Sequence, residues 1–422
     1  MTSPEAPVVA DTLEQVWRGH WGRLLALLVA QYRRLDLAED GLGDAFEAAA
    51  RHWPAEGMPD SPPAWLLTAA RRRVLDRLRS EAVAARKEPL LVVDAELQES
   101  AQRAMADPGD LIDERLRLVL LCAHPALAPE SASALSLRLV LGVTTRDIAR
   151  LFLVSEPTMA ARLTRARKKL VVAGVPFAVP EAARLPGRLE TVAQVAYLGF
   201  TAGYAPGSGS DVTRVDVAGE AVRLGHVLHE LLPDESLLTA LLALMTLQHS
   251  RRDARVDERG DLVLLPDQDR TTWRHDEIAA ALDLLTPMVS GAVAEPEGLA
   301  RSYLLQALIA AEHVTAATAG ETSWPRIADL YVELEAHTGS PVVRLNRAVA
   351  VAEAVGPRAG LMLLEGLEIP LGGNHRLPAT RAELLGRLGE RAAAGTAYEE
   401  AIALCGNAVE RAHLVARRAR LG

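Results

Sequence analysis

The stretch Thr144–Leu170, TTRDIARLFLVSEPTMAARLTRARKKL, has the pattern of a short helix, a tight turn and a longer basic helix. Thr144 or Thr145 can cap the first helix, and Ser155 can cap the second, whose first turn tolerates Pro157. Each helix has its own candidate buried side: Ile148, Ala149 and Phe152 in the first, and Met159, Leu163, Ala166 and Leu170 in the second. The second set repeats at spacings typical of one face of an α-helix.

The opposite face of the second helix is polar and basic. It carries Thr158, Ala161, Arg165 and Lys168, and Arg162 flanks it. This layout predicts a helix-turn-helix whose second helix enters a DNA major groove by its N-terminal end. A basic amphipathic helix is also common as an ordinary solvated face, but two capped helices joined by this turn favour the DNA-binding interpretation.

Composition limits the number of domains and the fold classes that the chain can form. A chain of 422 residues is long enough for two or three domains. About half of the residues are apolar, only 4% are aromatic, and alternating β-branched runs are scarce, so the sequence predicts an all-α protein. No signal peptide is recognisable at the start, and the longest apolar stretch, Leu237 to Leu247, is too short to cross a bilayer. We therefore expect a soluble, cytoplasmic protein.

The charges divide unevenly along the chain. Residues 1–174 carry 23 basic and 23 acidic side chains, so the whole net charge of −9 lies in the remainder. Within the neutral part, the basic residues form two clusters: Arg71, Arg72, Arg73, Arg77, Arg79, Arg86 and Lys87 in one, and Arg138, Arg146, Arg150, Arg162, Arg165, Arg167, Lys168 and Lys169 in the other. Two basic clusters suit phosphate contacts at two places on a nucleic acid.

The first block, residues 11–80, reads as a helical bundle. An amphipathic helix from Gly41 to Trp53 is expected to bury Leu42, Ala45, Phe46, Ala49 and Trp53. A second helix begins near Trp65 and carries the core stripe Leu67, Ala70, Val74 and Leu78. Trp65 itself is either an ordinary core anchor or an aromatic platform that stacks on unpaired bases beside the arginines.

A weakly periodic segment, residues 81–109, follows as a partly flexible connector, and the second block, residues 110–173, contains the helix-turn-helix.

In correct order, these stretches resemble regions two and four of bacterial sigma factors of the extracytoplasmic-function group. The matching segments are LAEDGLGDAF (37–46), PAWLLTAARRRVLDRLR (63–79) and RLVLGVTTRDIARLFLVSEPTMAARLTRARKKL (138–170). The chain also resembles the branch of that group that bears a long C-terminal helical-repeat extension, through HPALAPE (124–130), DLVLLPDQDRTTW (261–273) and SPVVRLNRAVAVAE (340–353).

The resemblance implies a role for each group of residues. Binding of core RNA polymerase is assigned to the acidic helix residues Glu39, Asp40, Asp44 and Glu47. Melting and holding of the minus-ten promoter element is assigned to Trp65, Arg71, Arg72, Arg73 and Arg77. Reading of the minus-thirty-five element is assigned to Ser155, Glu156, Thr158, Ala161, Arg162, Arg165 and Lys168, of which Arg162 and Arg165 are the candidates for base-edge or phosphate contacts.

Two positions depart from the family pattern. Gly43 stands where the family usually has glutamine, and a glycine inside a helix costs about 1 kcal/mol relative to alanine. In the extension, Thr201-Ala-Gly-Tyr204 replaces the more usual Asn-Glu-Gly-Tyr.

The third block, residues 181–422, contains an internal repeat. Five small or apolar positions recur at a separation of 34 residues, the tetratricopeptide period: Ala348, Val351, Gly360, Leu364 and Leu367 onto Ala382, Leu385, Ala394, Tyr398 and Ala401. Earlier helices at 217–231 and 235–248 are candidate members of degenerate repeats. Such arrays offer concave surfaces to a protein or peptide partner; the alternative is a purely structural helical domain.

No catalytic constellation is present in the sequence. Asp267-Gln268-Asp269-Arg270 is interpreted as a solvated charged loop, and Cys122 and Cys405 are too few and too distant for a disulfide framework or a zinc site. We expect no enzyme activity, cofactor or metal. Two alternatives to a sigma factor remain: a stand-alone helix-turn-helix regulator with a repeat-type sensor domain, and a repeat scaffold whose N-terminal helices merely bind partners.

Overall fold

The computed structural model describes residues 6–84, 108–152, 154–204, 215–257 and 263–421. The regular elements within these ranges are helices, which confirms the all-α prediction. The chain divides into two compact units, one ending at Leu198 and the other beginning at Gly199. Most of the predicted connector, 85–107, lies outside the described residues.

The first unit contains a three-helix bundle followed by a four-helix segment. The bundle helices are α1 (Ala6–Tyr32), α2 (Leu35–Glu56) and α3 (Pro62–Ala84). The helices of the segment are α4 (Pro108–Cys122), α5 (Pro129–Leu139), α6 (Thr145–Leu151) and α7 (Glu156–Val172). Next in the chain is α8 (Leu185–Tyr204), which contains the boundary between the two units.

The bundle core confirms the predicted apolar stripes. All five predicted residues of α2, from Leu42 to Trp53, are buried, and so are Leu67, Ala70 and Val74 of α3, whereas Leu78 is half-buried. Trp21, Leu24, Leu25 and Leu28 complete this core from α1. Because α2 and α3 each place one apolar face inward, their outward faces carry most of the charged residues; Glu39 and Arg71 are buried.

The second unit continues as a series of α-helices. They are α9 (Val215–Leu231), α10 (Ser236–His249), α11 (His275–Val289), α12 (Gly298–Thr315), α13 (Trp324–Thr338), α14 (Pro341–Ala354), α15 (Pro357–Leu364), α16 (Arg376–Arg387), α17 (Arg391–Leu404) and α18 (Ala408–Ala419). The apolar run Leu237–Leu247 lies in α10, which packs against α9, α11 and α12. Helix α10 therefore lies at the centre of this core, and most of its residues are buried.

The 34-residue correspondence is reproduced in the packing of two helix pairs. Ala348 and Gly360 lie where α14 meets α15, and their equivalents Ala382 and Ala394 lie where α16 meets α17; all four are buried. At Gly360 an added Cβ would lie 2.6 Å from the carbonyl oxygen of Ala348, so only glycine permits this approach. The two pairs differ in length, because α15 ends at Leu364 whereas α17 runs through Ala401.

The DQDR segment corrects the expectation of a solvated charged loop. Asp267 and Asp269 are exposed, but Arg270 lies 4.5 Å above the centre of the buried Trp273 ring. Its Nη1 also donates to the carbonyl oxygens of His313 and Ala316, both at 2.7 Å. Arg270 therefore donates hydrogen bonds to carbonyl oxygens at the C-terminal end of α12, where the helix itself supplies no donor.

Candidate nucleic-acid interface

The predicted helix-turn-helix is formed by α6 and α7. Thr144 is the residue that caps α6, with its side chain accepting a hydrogen bond from the Asp147 amide, and Ser155 caps α7 by accepting from the Thr158 amide. Ile148 and Ala149 are buried as expected, whereas Phe152 is only half-buried. Two capped helices therefore pack across the turn in the way that their sequence predicts.

Helix α7 has a buried side and an exposed side. The predicted stripe of Met159, Leu163, Ala166 and Leu170 is at most 4% exposed. The predicted reading residues lie on the other side, where all are exposed except the half-buried Arg162: Ser155, Glu156, Thr158, Ala161, Arg162, Arg165 and Lys168. The Arg162 guanidinium lies 5.8 Å from the centre of the Phe152 ring, and Arg146 of α6 lies 3.6 Å from the Glu156 carboxylate. The N-terminal half of α7 is thus an open polar surface with its cap in place.

The second basic site surrounds Trp65 at the start of α3. Trp65 is half-buried and packs edge-on against Trp53, with ring centres 5.4 Å apart, so it is partly a core anchor. It also lines an open cleft of about 430 Å³ together with Pro59, Asp60, Ser61 and Arg72. The cleft thus combines an aromatic side chain on which a base can stack with an exposed arginine that can contact the nucleic-acid backbone.

The arginines of α3 do not all face solvent. Arg72 and Arg73 are exposed, but Arg71 is only 6% exposed, which contradicts its expected role in holding DNA phosphates in this conformation. Burial lowers the pKa of Arg71, and Tyr32 is its neighbour. A signal was available in the sequence, because Arg71 lies four residues after Leu67 and three before Val74, on the apolar side of the helix.

Arg77 is held by the acidic helix rather than left free for DNA. Its guanidinium donates to Asp40 at 2.7 Å and to Asp44 at 3.0 Å, so it links α3 to α2. The hydrogen bond that Arg77 donates to Asp40 is the main cause of the raised pKa of Arg77. Arg77 and Asp44 are half-buried and Asp40 is exposed, so water reaches both pairs; ion pairs in such a setting contribute little to stability and can exchange partners. Arg77 is therefore available to a phosphate only after it leaves these carboxylates.

Of the four expected polymerase-binding residues, Glu39 differs from the others. Asp40 and Glu47 are exposed and Asp44 is half-buried, but Glu39 is only 8% exposed. Its carboxylate accepts from Arg138 Nε at 2.7 Å and from Arg167 Nη2 at 2.6 Å. Glu39 is therefore unavailable to a partner in this conformation, which corrects that prediction. Its position three residues before Leu42 and seven before Phe46 places it on the buried side of α2.

Three potential metal ligands meet near the C-terminus, where none was expected. The ligand atoms of His375, Cys405 and Glu410 all lie within 4.8 Å of one another. Each is already engaged, because His375 pairs with Glu410 at 3.2 Å and the Cys405 thiol contacts the Asn407 carbonyl oxygen at 3.5 Å. Arg376 lies 3.9 Å from Glu410, and its charge opposes a cation. Burial raises the pKa of Cys405 and so disfavours the thiolate that a metal needs.

Among the helices that the structure describes, none is long and apolar enough to cross a membrane.

Comparisons with known proteins agree with this geometry. Residues 16–83 match the family "Sigma-70 region 2", residues 117–170 match "Sigma-70, region 4", and residues 188–289 match a family of unknown function, DUF6596. An uncharacterized protein of Rhizobium meliloti (strain 1021) is 39% identical over 391 residues, which cover 92% of this chain and 91% of the relative. No solved structure matches the chain.

The two sigma-70 matches cover the bundle of α1–α3 and the segment that contains α6 and α7, in the order that a sigma factor requires. The helical remainder is consistent with the extension that the sequence predicts. The chain belongs to the sigma-70 family, as a sigma factor like those of the extracytoplasmic-function group that directs promoter-specific transcription by RNA polymerase.

Proposed function

We propose that α7 reads the minus-thirty-five element through Thr158, Ala161, Arg162, Arg165 and Lys168, with Ser155 and Glu156 at the groove edge. The observation that carries this assignment is the exposed polar face of α7, which begins at a satisfied N-cap. A recognition helix enters the major groove by this end. Arg165 is fully on the exposed side, and a bidentate contact with guanine would contribute about 1–3 kcal/mol of discrimination.

The cleft beside Trp65 is the proposed site for the melted minus-ten strand. Trp65 supplies an aromatic ring for stacking, Arg72 lines the same cleft, and the exposed Arg73 follows it on α3. Arg77 joins this site when a phosphate replaces Asp40 and Asp44 as its partner. Arg71 is assigned a packing role instead, because it is buried in the bundle.

Core polymerase is proposed to bind the outward face of α2 through Asp40, Asp44 and Glu47. These residues line one helix, and two of them are exposed in the free protein. The proposed place of action is the bacterial cytoplasm, where core polymerase and chromosomal DNA are found. Sigma-factor families are not enzyme families, so no catalytic step is assigned.

The second unit is proposed to regulate the first or to bind a protein partner. Two observations support this: the whole net charge of −9 lies in residues 175–422, and α14–α17 form two tetratricopeptide-like helix pairs. Removing residues 205–422, which leaves the first unit and α8 intact, is expected to change promoter-dependent transcription, and an unchanged transcript yield would refute a regulatory role.

Run-off transcription with core polymerase, on DNA from upstream of the protein's own gene, tests the proposed function. Discrete transcripts that depend on the added protein are expected, and Asp44→Ala should reduce its co-elution with core polymerase. Arg165→Ala should relax specificity at one base pair of the minus-thirty-five element. Its matched control, Lys169→Ala on the same helix, should weaken binding uniformly and lower the salt dependence.

Two further measurements distinguish a sigma factor from the alternative functions. A stand-alone regulator would bind duplex promoter DNA tightly without polymerase and would not co-elute with core enzyme. A scaffold would keep its function when Arg162 and Arg165 are both changed to alanine.

A further inference from the structure

A cavity of about 750 Å³ opens beside the turn between α1 and α2. Its walls come from the end of α1, the start of α2, the end of α4, the second half of α7 and the chain that follows α7. Most of its lining residues are apolar: Val29, Leu35, Leu121, Leu170, Val171, Val175, Pro176 and Phe177. Small-molecule sites typically enclose about 300–1,000 Å³ and are mostly apolar with a few polar groups, so this cavity has the size and lining of a ligand site.

The polar part of the lining is mainly basic. It consists of Arg33, Arg34, Arg167, Lys168, Asp36 and Thr164. Ion pairs with carboxylates of α2 and α3 neutralise Arg34 and Arg167. Within the described part of the chain, no carboxylate pairs with Arg33 or Lys168, and both residues are exposed. The cavity therefore offers an apolar wall together with two cations whose charge an anionic ligand can neutralise.

Arg33 has a backbone conformation that arginine rarely adopts. Its φ is 55°, and it is the only residue other than glycine with a positive φ among those that the structure describes. Its amide donates to the Val29 carbonyl oxygen at 2.8 Å and so closes the C-terminal end of α1, a place where glycine is the usual residue. A side chain is strained in this conformation, and residues that keep such strain cluster at functional sites.

The side chain of Arg33 also holds one wall of the cavity. Its Nη1 donates to the Phe177 carbonyl oxygen at 2.9 Å, and its guanidinium lies 5.9 Å from the centre of the Phe177 ring. A carbonyl oxygen is neutral, so this bond leaves the positive charge of Arg33 without a counter-ion. The guanidinium has five N–H donors in all. Arg33 can therefore hold the wall and bind an anion at the same time.

Helix α7 ends in two valines that are exposed to water. Val171 and Val172 are each 77% exposed. Val171 lines the cavity, whereas Val172 is not among its lining residues. An apolar chain that lies in the cavity would cover Val171 and remove its surface from water, which is favourable.

We propose that this cavity binds a long-chain carboxylate of the fatty-acid type, with the head group at Arg33 and Lys168 and the acyl chain along the apolar wall. An arginine can donate two parallel hydrogen bonds to a carboxylate. Arginine and lysine also place their alkyl stems along apolar surface while the charge stays at the edge, which is the arrangement that an amphiphilic anion needs. Because Lys168 also belongs to the proposed minus-thirty-five surface, the site is tested at positions outside that surface.

Titration calorimetry of the full-length chain with dodecanoate, below its micelle concentration, tests the site. We expect saturable binding of one dodecanoate per chain. Tetradecanoate should bind roughly tenfold more tightly, because each buried methylene group strengthens binding about fourfold. Dodecyltrimethylammonium has the same chain and the opposite charge, and it should bind at least roughly tenfold more weakly. Absence of saturable dodecanoate binding would overturn the proposal, and so would equal binding of the two amphiphiles.

Val171→Asp and Val172→Asp form a matched pair, because the two valines are equally exposed and only Val171 lines the cavity. Val171→Asp should weaken dodecanoate binding at least roughly tenfold, since it places a negative charge against the anion and removes apolar wall. Val172→Asp should leave the affinity unchanged. Equal affinities of the two variants would place the ligand elsewhere and contradict the proposed site.

Arg33→Gly tests the head-group contact. Glycine fits a φ of 55° without strain, so we expect this variant to remain folded, as thermal unfolding verifies. Its affinity for dodecanoate should fall at least roughly tenfold, and its preference for the anionic over the cationic amphiphile should shrink. An unchanged preference would refute the contact with Arg33. The titration of the unsubstituted chain requires no variant and no promoter, so its result is independent of the proposed function.

Discussion

At position 43 of α2, glycine occupies a helical site with open space around it. No atom lies within 4 Å of the Cβ that a substitution would add. Gly41, two residues earlier, is different, because its Cβ would lie 2.9 Å from a methyl group of Val74 and 3.2 Å from the Ala70 carbonyl oxygen. The departure of Gly43 from the family pattern is therefore not required by packing, whereas Gly41 permits α2 and α3 to approach each other.

Gly43→Ala should raise the free energy of unfolding of the first unit by about 0.5–1 kcal/mol, because alanine restricts the unfolded chain and fits the helix. Gly41→Ala, its matched control, should lower it. Urea unfolding followed by circular dichroism measures both changes, and a stabilising Gly41→Ala or a destabilising Gly43→Ala would contradict this account.

At the scale of the element, the N-terminus of α7 depends on its cap. Ser155 Oγ accepts from the Thr158 amide at 3.3 Å and shares a hydrogen bond of 2.8 Å with the Thr158 hydroxyl. The first of these bonds satisfies the Thr158 amide, which has no partner within the helix. Both bonds also fix the first turn of the helix, from which the proposed base contacts project.

Ser155→Ala should cost about 1 kcal/mol of stability and weaken binding to the minus-thirty-five element, whereas Ser155→Asn should preserve the stability because asparagine also caps helices. Thermal unfolding and transcription from a promoter with an intact minus-thirty-five element provide the two readouts. Equal stabilities of the alanine and asparagine variants would show that the cap contributes nothing.

At the scale of the whole molecule, the second unit contains two histidines that folding keeps neutral. Burial, assisted by Arg252, lowers the pKa of His249 to about 4, and burial with Arg251 and Arg270 lowers the pKa of His313 to about 4. In the unfolded chain both titrate near their ordinary value of 6.5. Between these values the unfolded state binds more protons than the folded state, so stability falls as the pH falls.

The second unit should therefore lose up to roughly 3 kcal/mol per histidine as the pH drops from 6.5 to 4. His249→Gln, which cannot be protonated, should reduce the difference between melting temperatures measured at about pH 7.5 and about pH 5. His226→Gln, at an exposed position of α9, is the control and should leave that difference unchanged. An identical pH dependence in all three proteins would refute the role of His249.

The sequence by itself determined the helices, their caps and their buried faces. Ser155 and Thr158 are three residues apart, and the stripe from Met159 to Leu170 repeats every three or four residues, so neither depends on distant parts of the chain. The 34-residue correspondence between α14–α15 and α16–α17 could be predicted from the sequence for a similar reason. Each pair needs small residues where its own two helices touch.

Only the tertiary structure decided which charged residues are bonded to groups that lie far away in the sequence. Glu39 meets partners 99 and 128 residues away, and Arg270 meets carbonyls 43 and 46 residues away. Periodicity places Glu39 and Arg71 on the buried side of their helices, but it cannot show which groups neutralise or cover them there. A buried charge is tolerated only where a partner is supplied, and that partner is fixed by how the helices pack.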